Sequence, residues 1–233
     1  MEMKADNILP VYRINNREIN LNFFKNVLGM KVHLEEGAMV ELGGHQNQEA
    51  RVLLEESPAK VKYASAGSVK KHARTVIFAN ADEVNKLSRN NISNKKVEFL
   101  GNEGFSALSP EGDEFWLIAS DFFQKCDSLN TGLSDFLVSE LKLNVASLTT
   151  ARRDFEIFNE ISTVFKLTFN EQVPNALQNT WDIEAILVQL PESSDLKELY
   201  DRFSGYEPYL DKEQKLLSVY LPEGLEIWFE KHY

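Results

Sequence analysis

The strongest constraint on this chain is a stretch that it carries twice. Residues 106–116 read S-A-L-S-P-E-G-D-E-F-W and residues 218–228 read S-V-Y-L-P-E-G-L-E-I-W. A shift of 112 positions lays Ser106, Pro110, Glu111, Gly112, Glu114 and Trp116 on Ser218, Pro222, Glu223, Gly224, Glu226 and Trp228. Each copy is a strand, a tight turn in which Pro fixes φ and Gly accepts φ > 0, and a second, alternating strand. The same shift lays Val76, Glu83, Val84 and Leu87 on Val188, Asp195, Leu196 and Leu199, an apolar strand followed by one face of a short helix. The repeated unit is therefore β-α-β-β-β, and the chain must fold as a set of such modules.

Two further modules complete the pattern. Residues 8–14 read as a strand; Ile19, Phe23, Phe24, Val27 and Leu28 give a helix one buried face, and Gly29 ends it. Strands follow at 30–35, 38–42 and 51–55, and a lysine-bearing crossover, 57–72, leads to the second module at 74–120. Leu143 and Val145 stand 134 positions after Leu9 and Val11, and Phe155, Phe158 and Ile161 repeat Leu21, Phe24 and Val27, which opens a third module. There the unit is cut short. In the first module 38 residues, 36–73, separate the second strand from the next module; in the third only 13, 170–182, do so, and its two-strand hairpin is expected to be missing. The expected fold class is α+β in two domains: 1–120 with modules 1 and 2, an interdomain segment 121–139, and a trimmed domain 140–233 with modules 3 and 4.

Composition narrows the partners. Residues 1–120 hold 15 Lys+Arg against 16 Asp+Glu, leaving 25 − 15 = 10 against 36 − 16 = 20 for the rest. So acidic a second half is a poor surface for nucleic acid. No apolar run approaches the ~20 residues of a membrane helix, and the start, M-E-M-K-A-D-N, lacks the apolar core of a secretion signal. No membrane partner and a cytoplasmic location are the expectations. Cys126 is the single cysteine, which excludes an intrachain disulfide.

The modules, with F-F-K-N-V-L-G-M-K-V in the first and S-P-E-G-D-E-F-W in the second, resemble the vicinal oxygen chelate superfamily of glyoxalases, bleomycin-resistance proteins and extradiol dioxygenases. The whole pattern, curtailed third module included, resembles the streptococcal CppA family, whose name describes a proteinase degrading complement component three. The resemblance implies glyoxalase-like domains with helices outside cupped sheets, a host complement protein as partner, a virulence role, and surface or extracellular presence. It also implies where the superfamily's divalent metal would be held, by His on the first strand and Glu on the last strand of a module. Those positions fall at Pro10, Thr75 and Trp116 in the first domain and at Asn144, Leu187 and Trp228 in the second. None is a metal ligand, and Glu55 on the fourth strand is a lone carboxylate. No metal or other cofactor is expected, nor glyoxalase or dioxygenase chemistry.

Alternation along the strands assigns the faces. With Trp116 directed into the cup, Glu114 and Ile118 share its face, and Pro10, Tyr12, Ile14, Thr75 and Ile77 are expected to line the same cup. The candidate ligand-binding cleft of the first domain is thus Tyr12, Ile14, Thr75, Ile77, Glu114 and Trp116; that of the second is Asn144, Glu226 and Trp228. Such surfaces suit a small apolar ligand or a segment of another protein, with plain packing of the two Trp as the alternative.

No H-E-x-x-H, G-x-S-x-G or cysteine-protease signature occurs, and no catalytic residue is identified. His72 is expected to be solvated at the end of the crossover, His33 to face solvent or a sheet partner, and Cys126 to be an ordinary linker residue unless it meets His72 or His232. Glu114 and Glu226 lie in separate cups and cannot share a proton. Two readings stand: a proteinase, implied by the family resemblance alone, and a metal-free binding protein, drawn from the residues. Because the missing hairpin should leave a sheet edge or a cup uncovered, self-association is also expected.

Overall fold

A computed structural model describes residues 3–58, 69–123, 132–172 and 180–232. Module 1 comprises β1 (Asn7–Ile14), α1 (Arg17–Asn26), β2 (Lys31–Glu36), β3 (Met39–Gly43) and β4 (Ala50–Glu56). Module 2 comprises β5 (His72–Ala79), α2 (Ala81–Asn90), β6 (Val97–Phe99), β7 (Gly104–Leu108) and β8 (Glu114–Ala119). Module 3 has β9 (Phe136–Val145), two short helices, α3 (Leu148–Asp154) and α4 (Ile157–Ile161), and β10 (Lys166–Glu171). Module 4 runs through β11 (Ile183–Pro191), α5 (Leu196–Arg202), β12 (Tyr209–Leu210), β13 (Leu216–Leu221) and β14 (Leu225–His232). Among the described residues, no helix is long and apolar enough to cross a membrane.

Local chemistry explains where the helices begin. The side chains of Asn16, Asn80, Ser147 and Asp195 accept backbone N–H groups of the first turns of α1, α2, α3 and α5, each such cap contributing about 1 kcal/mol. Gly112 and Gly224 sit at φ +83° and +73°, the left-handed geometry that the two P-E-G turns require. The glutamates of these turns act as stitches. Glu111 accepts hydrogen bonds from Asn15 N, Asn15 Nδ2 and Asn20 Nδ2 at 2.8, 2.8 and 2.9 Å, tying module 2 to the β1–α1 loop and to α1 of module 1. Glu223 accepts from Ala146 N at 2.8 Å, tying module 4 to the β9–α3 loop of module 3.

Strand pairing does not follow the halves of the chain. One eight-stranded sheet runs β12-β13-β14-β11-β1-β4-β3-β2, joining module 4 to module 1, and a six-stranded sheet runs β10-β9-β5-β8-β7-β6, joining module 3 to module 2. The joints are antiparallel, β1 on β11 and β5 on β9. The halves 1–120 and 140–233 therefore do not each own a sheet. The linker of the sequence reading is also shorter than expected, because β9 already begins at Phe136.

The third module is reduced in a particular way. In module 1, β4 returns beside β1 and parallel to it after the β2–β3 hairpin. In module 3, β10 comes directly off α4 and takes that same parallel place beside β9. By order in the sequence β10 is the second strand of its module, but it occupies the fourth-strand position and closes a βαβ crossover. Two strands are absent between them among the described residues.

The sheets share one core. Tyr12, Ile14, Val52 and Ile186 of the larger sheet pack in the same apolar cluster as Ile77, Phe115, Leu117 and Leu141 of the smaller one, with Phe24 of α1 against Phe115 at 5.3 Å between ring centroids. The other face of each sheet turns away from this core.

Candidate functional site

The candidate cleft residues do not form one cleft. Thr75 pairs with Phe115 and Ile77 with Leu117, so both lie on the core face, whereas Trp116 pairs with Val76 on the opposite face. Tyr12 and Ile14 also belong to the shared core, and the Tyr12 ring meets Phe115 edge-on at 5.2 Å. Glu114 and Trp116 are left on the outer face of the six-stranded sheet. Asn144 lies on that sheet too, where Nδ2 donates to Lys70 O at 2.7 Å, while Glu226 and Trp228 belong to the eight-stranded sheet. The physical reason is a one-residue offset. Trp228 pairs with Leu187 and Trp116 with Val76, so the first-strand position that shares the outer face with Trp116 is Val76 and not Thr75, and in module 1 it is Leu9 and not Pro10.

The outer face of the eight-stranded sheet has an apolar floor under an acidic rim. Leu9, Val11, Leu53, Ala185 and Leu187 form a buried cluster flanked by Met39 and Trp228. Beside it Arg13 pairs with Glu55 at 3.1 Å and Glu184 at 2.5 Å. Glu226 accepts hydrogen bonds from Trp228 Nε1 at 2.6 Å and Ser218 Oγ at 3.1 Å. Burial pushes the Glu55 carboxyl above its usual range; Arg13 pulls it back, and Glu184 and Glu226 add to the rise. Two carboxylates thus hold the Arg13 guanidinium, and the charge of Glu226 acts on one of them, Glu55. Arg13 and Glu184 were not singled out from the sequence. Arg13 follows Tyr12 on β1 and so shares the outer face with Leu9 and Val11. Glu184 is the extra residue of a bulge, since Val11 pairs with Ala185 and Tyr12 with Ile183.

The six-stranded sheet repeats the motif with its own cation. The Arg74 guanidinium lies 4.2 Å from the Trp116 ring centroid, and Trp116 Nε1 donates to Glu114 at 2.8 Å. Arg74 also pairs with Glu140 at 2.8 Å, and Thr168 Oγ1 donates to the same carboxylate at 2.9 Å. Burial alone would raise the Glu140 carboxyl, but Arg74 and Thr168 outweigh it and hold the group below its ordinary range. The strand register places Ala185 where Arg74 stands, two residues before the partner of the Trp. Among the described residues, the larger sheet therefore has the Trp–Glu half of the motif without a stacked arginine.

A buried polar chain crosses the core between the sheets. Tyr12 OH and Thr75 Oγ1 are hydrogen-bonded, and His72 Nε2 is 2.8 Å from the same Oγ1. His72 Nδ1 stands 3.3 Å from Asp113 Oδ1, off the line of a good hydrogen bond, and Asp113 takes Lys70 Nζ at 2.6 Å and Ser109 Oγ at 3.2 Å. His72 is 3% exposed and Thr75 0%, so the expectation of a solvated His72 is overturned. His33 Nε2 lies 2.9 Å from Gly44 O, and Cys126 lies outside the described residues. Burial would raise the Asp113 carboxyl, but His72 and Lys70 hold it below its usual range; Asp182, pushed up by burial and by Asp113, accepts His72 N at 2.9 Å.

The comparisons with known proteins agree with this architecture. The sequence model for the CppA N-terminal region matches residues 7–128 and that for the CppA C-terminal region matches 133–229. The chain belongs to the CppA family. Among solved structures, it is similar to the cppA protein from Streptococcus pneumoniae TIGR4, with a TM-score of 0.77 at 24% identity over 98% of this chain and 99% of that one. It is also similar to glyoxalase I from Zea mays, with a TM-score of 0.61 at 14% identity over 98% and 92% of the two chains. The fold of this CppA-family chain is thus the glyoxalase-like vicinal oxygen chelate fold. A comparison with curated proteins finds no match. The metal of the superfamily's enzymes does not fit here: on the outer faces the relevant first- and last-strand positions carry Leu9, Val76, Leu187, Trp116 and Trp228, none of them a metal donor. Of the carboxylates nearby, Glu55 and Glu184 are already bound by Arg13.

Proposed function

We propose that this CppA-family chain is a binding protein that accepts a basic side chain of a protein partner on the outer face of its eight-stranded sheet, over Trp228 and beside Glu226. The supporting observation is the internal comparison: where Trp116 and Glu114 carry Arg74 at 4.2 Å, Trp228 and Glu226 have Ala185 at the arginine's position. An arginine from outside would meet an indole face and a carboxylate, over a floor that accepts its aliphatic stem. One such contact is worth about 2 kcal/mol when desolvated; a Kd of about 1 mM requires about 4 kcal/mol, so neighbouring contacts of the partner supply the remainder.

The test uses a Trp116→Phe/Trp181→Phe background, which leaves Trp228 as the only indole, and a short peptide carrying arginine or its neutral isostere citrulline. Emission is expected to change saturably with the arginine peptide alone, weaken with salt, and lose the response in Glu226→Gln. Equal responses to both peptides, or an unaltered response in Glu226→Gln, would remove the proposal.

A proteinase acting on complement component three, the role that the family name implies, has one observation in its favour. Thr75, His72 and Asp113 stand in the order hydroxyl, imidazole, carboxylate. The burial of Thr75 denies a peptide bond access to that hydroxyl. Purified protein is therefore expected to leave complement component three intact over hours. Defined fragments at substoichiometric protein, lost on His72→Ala, would establish the proteinase.

A further inference from the structure

The place vacated in module 3 has a definite shape, and the other three modules show what belongs in it. In modules 1, 2 and 4 the strand parallel to the module's first strand is covered on its far side by an antiparallel neighbour: β3 on β4, β7 on β8 and β13 on β14. Each covering strand turns alternate apolar residues to the core, Val40 and Leu42, Phe105 and Ala107, and Leu217, Val219 and Leu221, all 1% exposed or less. β10 is the end strand of its sheet, with no such neighbour among the described residues. Along it runs a groove of about 480 Å³ between the α3–α4 segment and β10, with an apolar wall of Leu148, Phe155, Leu167 and Phe169 and a polar rim of Arg152, Glu156, Asn159 and Thr168. The Phe155 and Phe169 rings lie 5.5 Å apart.

We infer that this edge and groove accept an extended segment of another protein as an added strand, antiparallel to β10, with apolar side chains at alternate positions entering the groove. An end strand offers unpaired backbone groups to such a segment, and the slot beside it reads every second side chain. The recognised chemistry is that of β3, β7 and β13: five or six residues, apolar at i, i+2 and, in the longest, i+4. The site is separate from Trp228 and needs no cation.

The probe is a fluorescein-labelled peptide with the sequence of 216–221, L-L-S-V-Y-L, flanked by serine and glutamate and free of lysine and arginine. Its anisotropy with the full chain is expected to rise saturably and to be unaffected by Glu226→Gln. Affinity is expected to fall at least tenfold in Phe169→Ala and in Leu167→Lys, whose half-buried site on the edge tolerates a lysine stem if the core variant fails to fold. Absence of saturable binding, equal binding by Leu167→Lys, or equal binding of a scrambled peptide with its apolar residues consecutive would overturn the inference. So would light scattering that finds a dimer abolished by Leu167→Lys, because β10 would then pair with a second copy of this chain.

Discussion

A single hydroxyl, that of Thr75, holds two buried partners across the core. Thr75→Val keeps the shape and strands both Tyr12 OH and His72 Nε2 without that partner. Each stranded group costs about 1–3 kcal/mol, so a loss of about 2 kcal/mol or more is expected, read as a fall of about 4–8 °C in Tm by circular dichroism. A Thr75→Val melt that overlays the wild type would mean the chain contributes nothing to stability. The carboxylates at its end give opposite pH signatures. Asp182 has a raised folded pKa, so its contribution is present at low pH and is lost as pH rises through that value; Asp113 has a lowered one, so its contribution is present above the ordinary carboxylate range and is lost only as pH falls through the depressed value. From pH 7 down to about 4, the Tm of wild type minus that of Asp182→Asn should therefore grow, while wild type minus Asp113→Asn should stay level and shrink only below about pH 4. A flat Asp182→Asn difference would contradict the assignment.

At the scale of elements, the repeated P-E-G turn announces more than a hairpin. Glu111 holds two donors from the β1–α1 loop and one from α1, and Glu223 holds one from the β9–α3 loop. Glu111→Ala is expected to cost about 2–3 kcal/mol in urea unfolding and Glu223→Ala about 1 kcal/mol; equal losses would say that the turns act only through their backbone. The turn, the strands and the helices were legible because Pro, Gly, cap residues and apolar spacing act locally. What the glutamates hold was not, since those partners lie 77, 91 and 96 residues away. Faces were misassigned for a related reason: alternation holds along β1, β5 and β8, but which first-strand residue shares the face of Trp116 is set by the register of the pairing, which places Val76 and not Thr75 beside it. Arg13 and Glu184 became visible as a site only once the bulge placed them together. That β10 is the counterpart of β4 was hidden as well, because a strand's order in the sequence does not say beside which neighbour it will lie.

At the scale of the whole molecule, the family regions 7–128 and 133–229 follow the sequence while the hydrogen bonds cross between them. Each half supplies one inner strand to each sheet: β1 and β5 come from the first, β11 and β9 from the second, and the two antiparallel joints between them sit at the centre of the fold. Cutting the chain in the 124–131 stretch would therefore open both sheets at once and expose long, apolar, unpaired edges on either fragment. Residues 1–123 and 132–233 expressed separately are expected to give aggregates or non-cooperative melts, whereas co-expression should return a one-to-one complex with a cooperative transition and near-wild-type secondary structure. If either fragment alone is monomeric and melts cooperatively, its modules can pair within one half. The crossed sheets would then be one of two accessible pairings, as the identical order of elements in modules 1, 2 and 4 allows, and the Trp228 face and the β10 groove would have to be sought again in that second arrangement.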